Sequence, residues 1–208
     1  MFFITFMPPK PINQAMKKFL FALVLIATVA GIYSFAAPKP AAEGGIKWLT
    51  WAQMQEAQKK EKRKVFIDVY TDWCGWCKRM DANTFSHPEI VSYVNQNFYA
   101  VKFDAETKDT INFKGVDYKY VASGYRGYNE LAAEILSGQL SYPTTVYMDE
   151  NMDMIFPVPG YQEPKLFEQV INFIGGGNYK TMQFDDFAKK FSGKVKDAPV
   201  TTEPAPGH

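Results

Sequence analysis

The stretch Val65-Phe-Ile-Asp-Val-Tyr70-Thr-Asp-Trp-Cys74-Gly-Trp-Cys77-Lys-Arg-Met80 decides how the rest of the chain is read. Its first part, residues 65–70, is short, apolar and β-branched, which is the composition of a buried strand. A brief turn follows, and Cys74-Gly75-Trp76-Cys77 then opens a segment of helical character. A Cys-x-x-Cys pair placed where a strand hands over to a helix has a physical meaning. The free N–H groups and positive dipole end of the helix favour a thiolate at Cys74. Cys77, one turn inside, is placed to resolve a mixed disulfide. These are the 2 cysteines of the whole chain.

Three other readings compete with redox chemistry. A structural zinc site wants four ligands, and the 2 histidines are His87 and His208, the latter ending a Pro-containing tail. A permanent structural disulfide is the bland alternative in an exported protein, but so short a loop gains little unfolded-state entropy on closure. Two unrelated buried thiols remain, and the flanking residues argue against them.

Asp68, Tyr70, Trp73, Cys74, Gly75, Cys77 and Lys78 resemble the active-site strand and helix of thioredoxin-fold proteins. The wider run, continuing to Thr84-Phe-Ser-His-Pro-Glu89, is similar to the C-terminal domain of the transmembrane disulfide reductase DsbD and to single-domain bacterial exported thioredoxin-like proteins. The resemblance extends over residues 46–176. It departs from ordinary thioredoxin at the middle dipeptide, Gly75-Trp76 in place of Gly-Pro, a pair that helps set redox potential. It implies an α/β thioredoxin fold, a central mixed sheet flanked by helices. A loop–helix insertion before the cis-proline strand and an extra C-terminal helix are expected additions to that fold.

Composition agrees with one such domain plus appendages in 208 residues. Hydrophobic residues make up 47% and aromatics 16%, which supports a substantial core and excludes disorder throughout. With 23 basic and 22 acidic side chains the formal charge is +1, so nothing points to a nucleic-acid partner. The lysines of residues 59–64 read as the solvated end of a helix.

The N-terminus carries an address. Met16-Lys17-Lys18 precedes an uncharged apolar run, residues 19–37, with small residues at Ser34 and Ala36. That order matches a secretory signal peptide cleaved near Ala36–Ala37; the run is also long enough to remain as a membrane anchor. Either outcome exports the rest, to the periplasm or to a membrane-anchored position facing it. Met16 is an alternative start, since residues 1–15 add nothing the signal needs. Residues 38–45 read as a linker, 46–191 as the thioredoxin-like domain and 192–208 as a disordered tail.

Within the domain, Ile46-Lys-Trp-Leu49 is a short edge strand and Thr50 caps a helix to about residue 62, with Trp51, Met54, Ala57 and Gln58 on one side. Pro88 starts another helix, and His87 beside it is a surface turn residue. Residues 98–104 form a second, parallel-type strand containing Lys102, and an interior lysine needs a partner. By resemblance that partner is Asp68. Asp68 is either an edge position facing solvent or a buried carboxylate of raised pKa that accepts the proton of Cys77.

Lys114 to Asn129 is loop-like and aromatic, and Asn129 caps a helix ending at Gly138. This insertion either borders the active-site groove and contributes to partner choice or is a packing embellishment. Ser141-Tyr142-Pro143-Thr144 precedes a strand, and the resemblance implies a cis Pro143 packed on the cysteines, with Tyr142 shaping access and Thr144 beginning the strand. Asp149-Glu-Asn151 is a hairpin turn, and Gly160 lets backbone approach the site. Pro164 starts a helix through Ile174, and residues 178–190 read as one more, with Tyr179, Met182, Phe187 and Phe191 on its apolar side.

These features predict a thiol–disulfide oxidoreductase of the cell envelope. Cys74 and Cys77 are the redox pair, and Asp68 and Lys102 serve proton transfer. Trp73, Gly75, Trp76, Tyr142, Pro143, Thr144 and Gly160 shape the substrate rim. The expected partners are protein disulfides and a membrane electron donor, and nothing beyond the dithiol is needed: no metal, flavin or nucleotide. The rival readings are a dithiol oxidase or isomerase using the same residues, and a non-catalytic binding module of the same fold.

Overall fold

The computed structural model describes residues 44–196, so the signal-like segment, most of the linker and residues 197–208 lie outside the described residues. The short strand β1 (Trp48–Leu49) leads into α1 (Trp51–Lys60), which Thr50 starts with a capping box closed by Gln53. The strand β2 (Lys64–Tyr70) and the helix α2 (Gly75–Asn83) follow, then α3 (Pro88–Asn97) and the strand β3 (Phe98–Asp104). His87 caps α3: its Nδ1 accepts from the Glu89 N–H at 3.3 Å, with Pro88 in the first turn.

After the insertion come β8 (Thr144–Met148), β9 (Met154–Pro159) and the helix α5 (Pro164–Gly175). The five-stranded sheet has the order β1-β3-β2-β8-β9. β1, β3 and β2 are parallel, whereas β8 and β9 run antiparallel. This is a mixed sheet with helices on both faces, the thioredoxin architecture.

Alternation along the strands sorts residues between the two faces. Val65, Ile67 and Val69 of β2, Val101 and Phe103 of β3, and Val146 of β8 face the layer containing Trp51 and Met54. Phe66, Ala100 and Tyr147 face the opposite layer, with Met80 of α2, Ile90 and Val94 of α3, and Phe167 and Ile171 of α5. Phe66 sits at its centre, with the rings of Trp48, Phe85, Tyr147 and Phe167 between 5.4 and 5.7 Å away. Asp68, Lys102 and Thr145 have the parity of this second face, and both Lys102 and Thr145 are register partners of Asp68. Asp68 therefore stands on a central strand under the helix that carries the cysteines, not on an edge.

The insertion departs from the expected loop. It builds two small antiparallel hairpins, β4–β5 (Ile111–Phe113 with Val116–Tyr118) and β6–β7 (Tyr120–Val121 with Tyr128–Asn129), before α4 (Glu130–Ile135). Lys114 and Gly115 both have positive φ, 51° and 81°, which suits a two-residue hairpin turn. Such a turn at a Lys-Gly pair lacks the usual Asn-Gly signal, so it was illegible locally. The Asn129 cap is as expected, its side chain accepting from the Leu131 N–H at 3.0 Å.

Two further corrections concern the C-terminal region. The expected single helix over residues 178–190 is broken into a 3₁₀ turn, Asn178–Lys180, and α6 (Phe184–Lys190). The break lets Phe184 share a face with Phe187, and both rings then meet Phe173, at 5.4 and 5.3 Å. The chain also stays ordered past residue 191. The buried carboxylate of Glu168 accepts from the N–H groups of Lys194 (2.7 Å) and Val195 (3.0 Å), and Val195 is buried in the core.

Candidate active site

Cys74 is the N-cap residue of α2, in an extended conformation (φ −73°, ψ 102°). Its Sγ accepts from the backbone N–H of Cys77 at 3.0 Å, so a free donor of the helix end points at this sulfur. Cys74 and Cys77 form a disulfide with their Cα atoms 5.3 Å apart. Their exposure does not distinguish them, at 4% and 3%. Position does: the helix dipole and the cap N–H favour negative charge on Cys74, which makes it the better thiolate when reduced.

Asp68 is 1% exposed, and Lys102 Nζ lies 2.5 Å from its Oδ2. Burial pushes the carboxyl up to about 6, against the pull of the Lys102 charge and hydrogen bond. Lys102 responds in the other direction. Its own burial favours the neutral amine, but the charges and hydrogen bonds of Asp68 and Asp81 reverse this and raise it. The bond to Asp81, on α2, ties the lysine to the cysteine helix. The same ammonium sits between the rings of Tyr70, Trp48 and Phe85, 5.0 to 5.5 Å from their centroids.

Several of the expected rim residues contact one another, Trp73 with Tyr142 and Pro143 with Gly160. The Tyr142–Pro143 peptide is cis, as the resemblance implied. The carbonyl of Pro143 accepts from the Gly160 N–H at 2.8 Å, and Gly160 has φ 88°, a conformation that favours glycine. Thr144 is buried and donates through Oγ1 to the Ser141 carbonyl at 2.8 Å, fixing the turn before β8. Trp73 is 49% exposed and meets the Tyr142 ring edge-on at 6.0 Å. Trp76 packs against Tyr161 at 5.3 Å, and the Arg79 guanidinium lies 5.5 and 5.7 Å from those two rings.

Sequence reasoning missed Asp81, Arg79, Tyr161, Glu106 and Arg126. Asp81 had a faint signal, four residues after Cys77 and hence on the same face of α2. Arg79 lies on the same helix and Tyr161 follows Gly160, whereas Glu106 and Arg126 join the site from distant parts of the chain, with no local pattern to mark them. His87 is an N-cap away from this constellation. Among the described residues no group of three or more His, Cys, Asp or Glu side chains is arranged to hold a metal ion.

The chain is similar to several known proteins. The chain is 31% identical over 72 residues to rat spermatogenesis-associated protein 20, a match covering 34% of this chain and 9% of that protein. The chain thus spans only a small fraction of that relative's length. Among solved structures, a thioredoxin-fold protein from Helicobacter pylori is similar with a TM-score of 0.48 and 22% identity, over 62% of this chain and 79% of that one. The DsbD C-terminal domain of Neisseria meningitidis in its reduced form is similar with a TM-score of 0.41 and 22% identity, over 58% and 90%. The family model described as a thioredoxin-like domain matches residues 51–175, and the chain belongs to that family.

Proposed function

We propose that the protein is a thiol–disulfide oxidoreductase of the cell envelope that reduces disulfides in other proteins. The observation that carries this reading is the Cys77 N–H donating to Cys74 Sγ at the mouth of α2. A sulfur so placed is the preferred thiolate of the pair, and a thiolate is the nucleophile of disulfide exchange. The envelope location is supported by the signal-like sequence of residues 16–37.

The chemistry balances without a cofactor. The Cys74 thiolate attacks one sulfur of the partner's disulfide, forming a mixed disulfide and releasing the partner's other sulfur as a thiolate. Cys77 loses its proton and attacks Cys74, breaking the mixed disulfide. The partner leaves as a dithiol with two electrons gained, and Cys74–Cys77 is oxidised. Asp68, with a carboxyl raised to about 6, is suited to take up the Cys77 proton near neutral pH. Lys102 holds that carboxylate in place. A membrane electron donor would return the pair to its dithiol form. Trp73, Trp76, Tyr142 and Pro143 supply the apolar rim on which the partner's polypeptide lies.

The test is insulin reduction with dithiothreitol as electron source. The protein accelerates precipitation of the insulin chains, and Cys74→Ala abolishes the acceleration; full activity in that variant overturns the reading. The reduction potential of the pair fixes the direction. A value near about −270 mV fits a reductase, and one near about −120 mV a disulfide donor.

A further inference from the structure

The β6–β7 hairpin reaches the active site through its tip. Its base is held firmly. The Asn129 N–H donates to the Ala105 carbonyl at 2.7 Å, and its Nδ2 donates to the Asp109 carbonyl at 2.9 Å. The Lys119 N–H donates to Glu130 Oε2 at 2.7 Å. Near the tip, Gly127 is buried, and a Cβ there would lie 2.3 Å from the Tyr120 ring and from the Val121 carbonyl. Only glycine fits, and it lets the chain after Arg126 close against Tyr120 and Val121 of the facing strand.

Arg126 lies over the face of Trp73, its guanidinium carbon 4.4 Å from the ring centroid. At the edge of the same indole, Nε1 donates to Glu106 Oε1 at 2.9 Å. Tyr142 closes a third side. Among the described residues no carboxylate pairs with Arg126, so its stacking on Trp73 is the contact that holds it. Trp73 is thus half exposed yet fixed in orientation, by residues of the insertion and of the segment entering it. A large aromatic held rigid before binding loses little freedom when a partner arrives.

We infer that Arg126 and Glu106 are positioning residues that hold Trp73 as a preformed platform for polypeptide around a partner's disulfide. The hairpin thereby makes the site selective for protein disulfides over small ones. A small disulfide needs only to reach Cys74, whereas a polypeptide must also lie against the indole. This inference rests on the proposed reductase reading.

The test is single-turnover oxidation of the reduced full-length protein, followed by tryptophan fluorescence, with insulin and with the neutral bis(hydroxyethyl) disulfide. Arg126→Ala and Glu106→Ala each raise the half-saturating insulin concentration about threefold, the scale of one exposed cation–π contact. The maximal rate with insulin and the rate with the small disulfide stay at the wild-type value. Glu106→Gln restores insulin binding, because its amide oxygen still accepts from the indole N–H. Gly127→Ala, which displaces the tip, reproduces Arg126→Ala, with circular dichroism confirming the fold. An active wild type with both substrates changed equally, or with neither changed, overturns the inference alone. A wild type that reduces neither substrate overturns the reductase reading and the inference together.

Discussion

Lys102 Nζ lies 2.5 Å from Asp68 Oδ2, joining two residues that face each other on neighbouring parallel strands. The pair is asymmetric. Asp68 is 1% exposed whereas Lys102 keeps 22% of its side chain accessible. Burial therefore outweighs the attraction at the carboxylate, and Asp68 holds its proton up to about 6.

This has a consequence for stability with a definite sign. A carboxyl raised from 3.8 to about 6 binds more protons in the folded than in the unfolded state between those values. Its stabilising contribution is full below pH 3.8 and is lost as pH rises through about 6. The shift corresponds to about 3 kcal/mol. Asp68→Asn removes this dependence and raises stability at pH 7, measured as the urea midpoint across pH 4 to 8. A variant that keeps the wild-type pH profile would falsify the assignment. On the proposed reductase reading, the same substitution slows release of the mixed disulfide.

The placement of the two sulfurs predicts an order of events. Cys77→Ser retains the Cys74 thiolate and its cap but has no second sulfur to attack with. It should accumulate a stable mixed disulfide with a protein substrate, seen as a band on a non-reducing gel that dithiothreitol removes. Cys74→Ser should not trap. Trapping by Cys74→Ser in place of Cys77→Ser would reverse the roles.

Phe66 tests the core that backs the site. It is fully buried and meets four aromatic rings. Phe66→Ala should cost about 3–5 kcal/mol, the range for deleting a buried aromatic. Chemical denaturation measures this, and a loss under about 1 kcal/mol would mean that the aromatic cluster closes around the gap.

The docked C-terminal segment gives another test. Glu168 is 5% exposed, and its two carboxylate oxygens accept from Lys194 and Val195 N–H groups. A chain ending at Phe191 leaves this carboxylate without them and uncovers the core beside it. It should lose about 3–6 kcal/mol, two hydrogen bonds to a charged group being worth about 1.5–3 kcal/mol each. Glu168→Ala in the full chain should lose less, since no buried charge is left unpaired.

The sequence by itself determined the parts of this protein whose causes are local. Residues 65–70 form a strand because they are apolar and β-branched, α1 and α4 start at Thr50 and Asn129 because those side chains cap, and α3 starts at Pro88, which suits a first helical turn. The cysteines follow the strand within the same short stretch, so the dithiol was legible, and the family resemblance supplied Asp68, Lys102 and cis Pro143. The tertiary structure alone decided what crosses between segments. Asp81 reaches Lys102 because α2 lies over the face of the sheet that carries it. Arg126 reaches Trp73 because a hairpin closed by Gly127 turns back toward the site. Val195 is ordered because a buried glutamate needs its backbone. A cap or a strand is encoded by neighbours in the chain, whereas these contacts exist only where folding brings distant residues to one place.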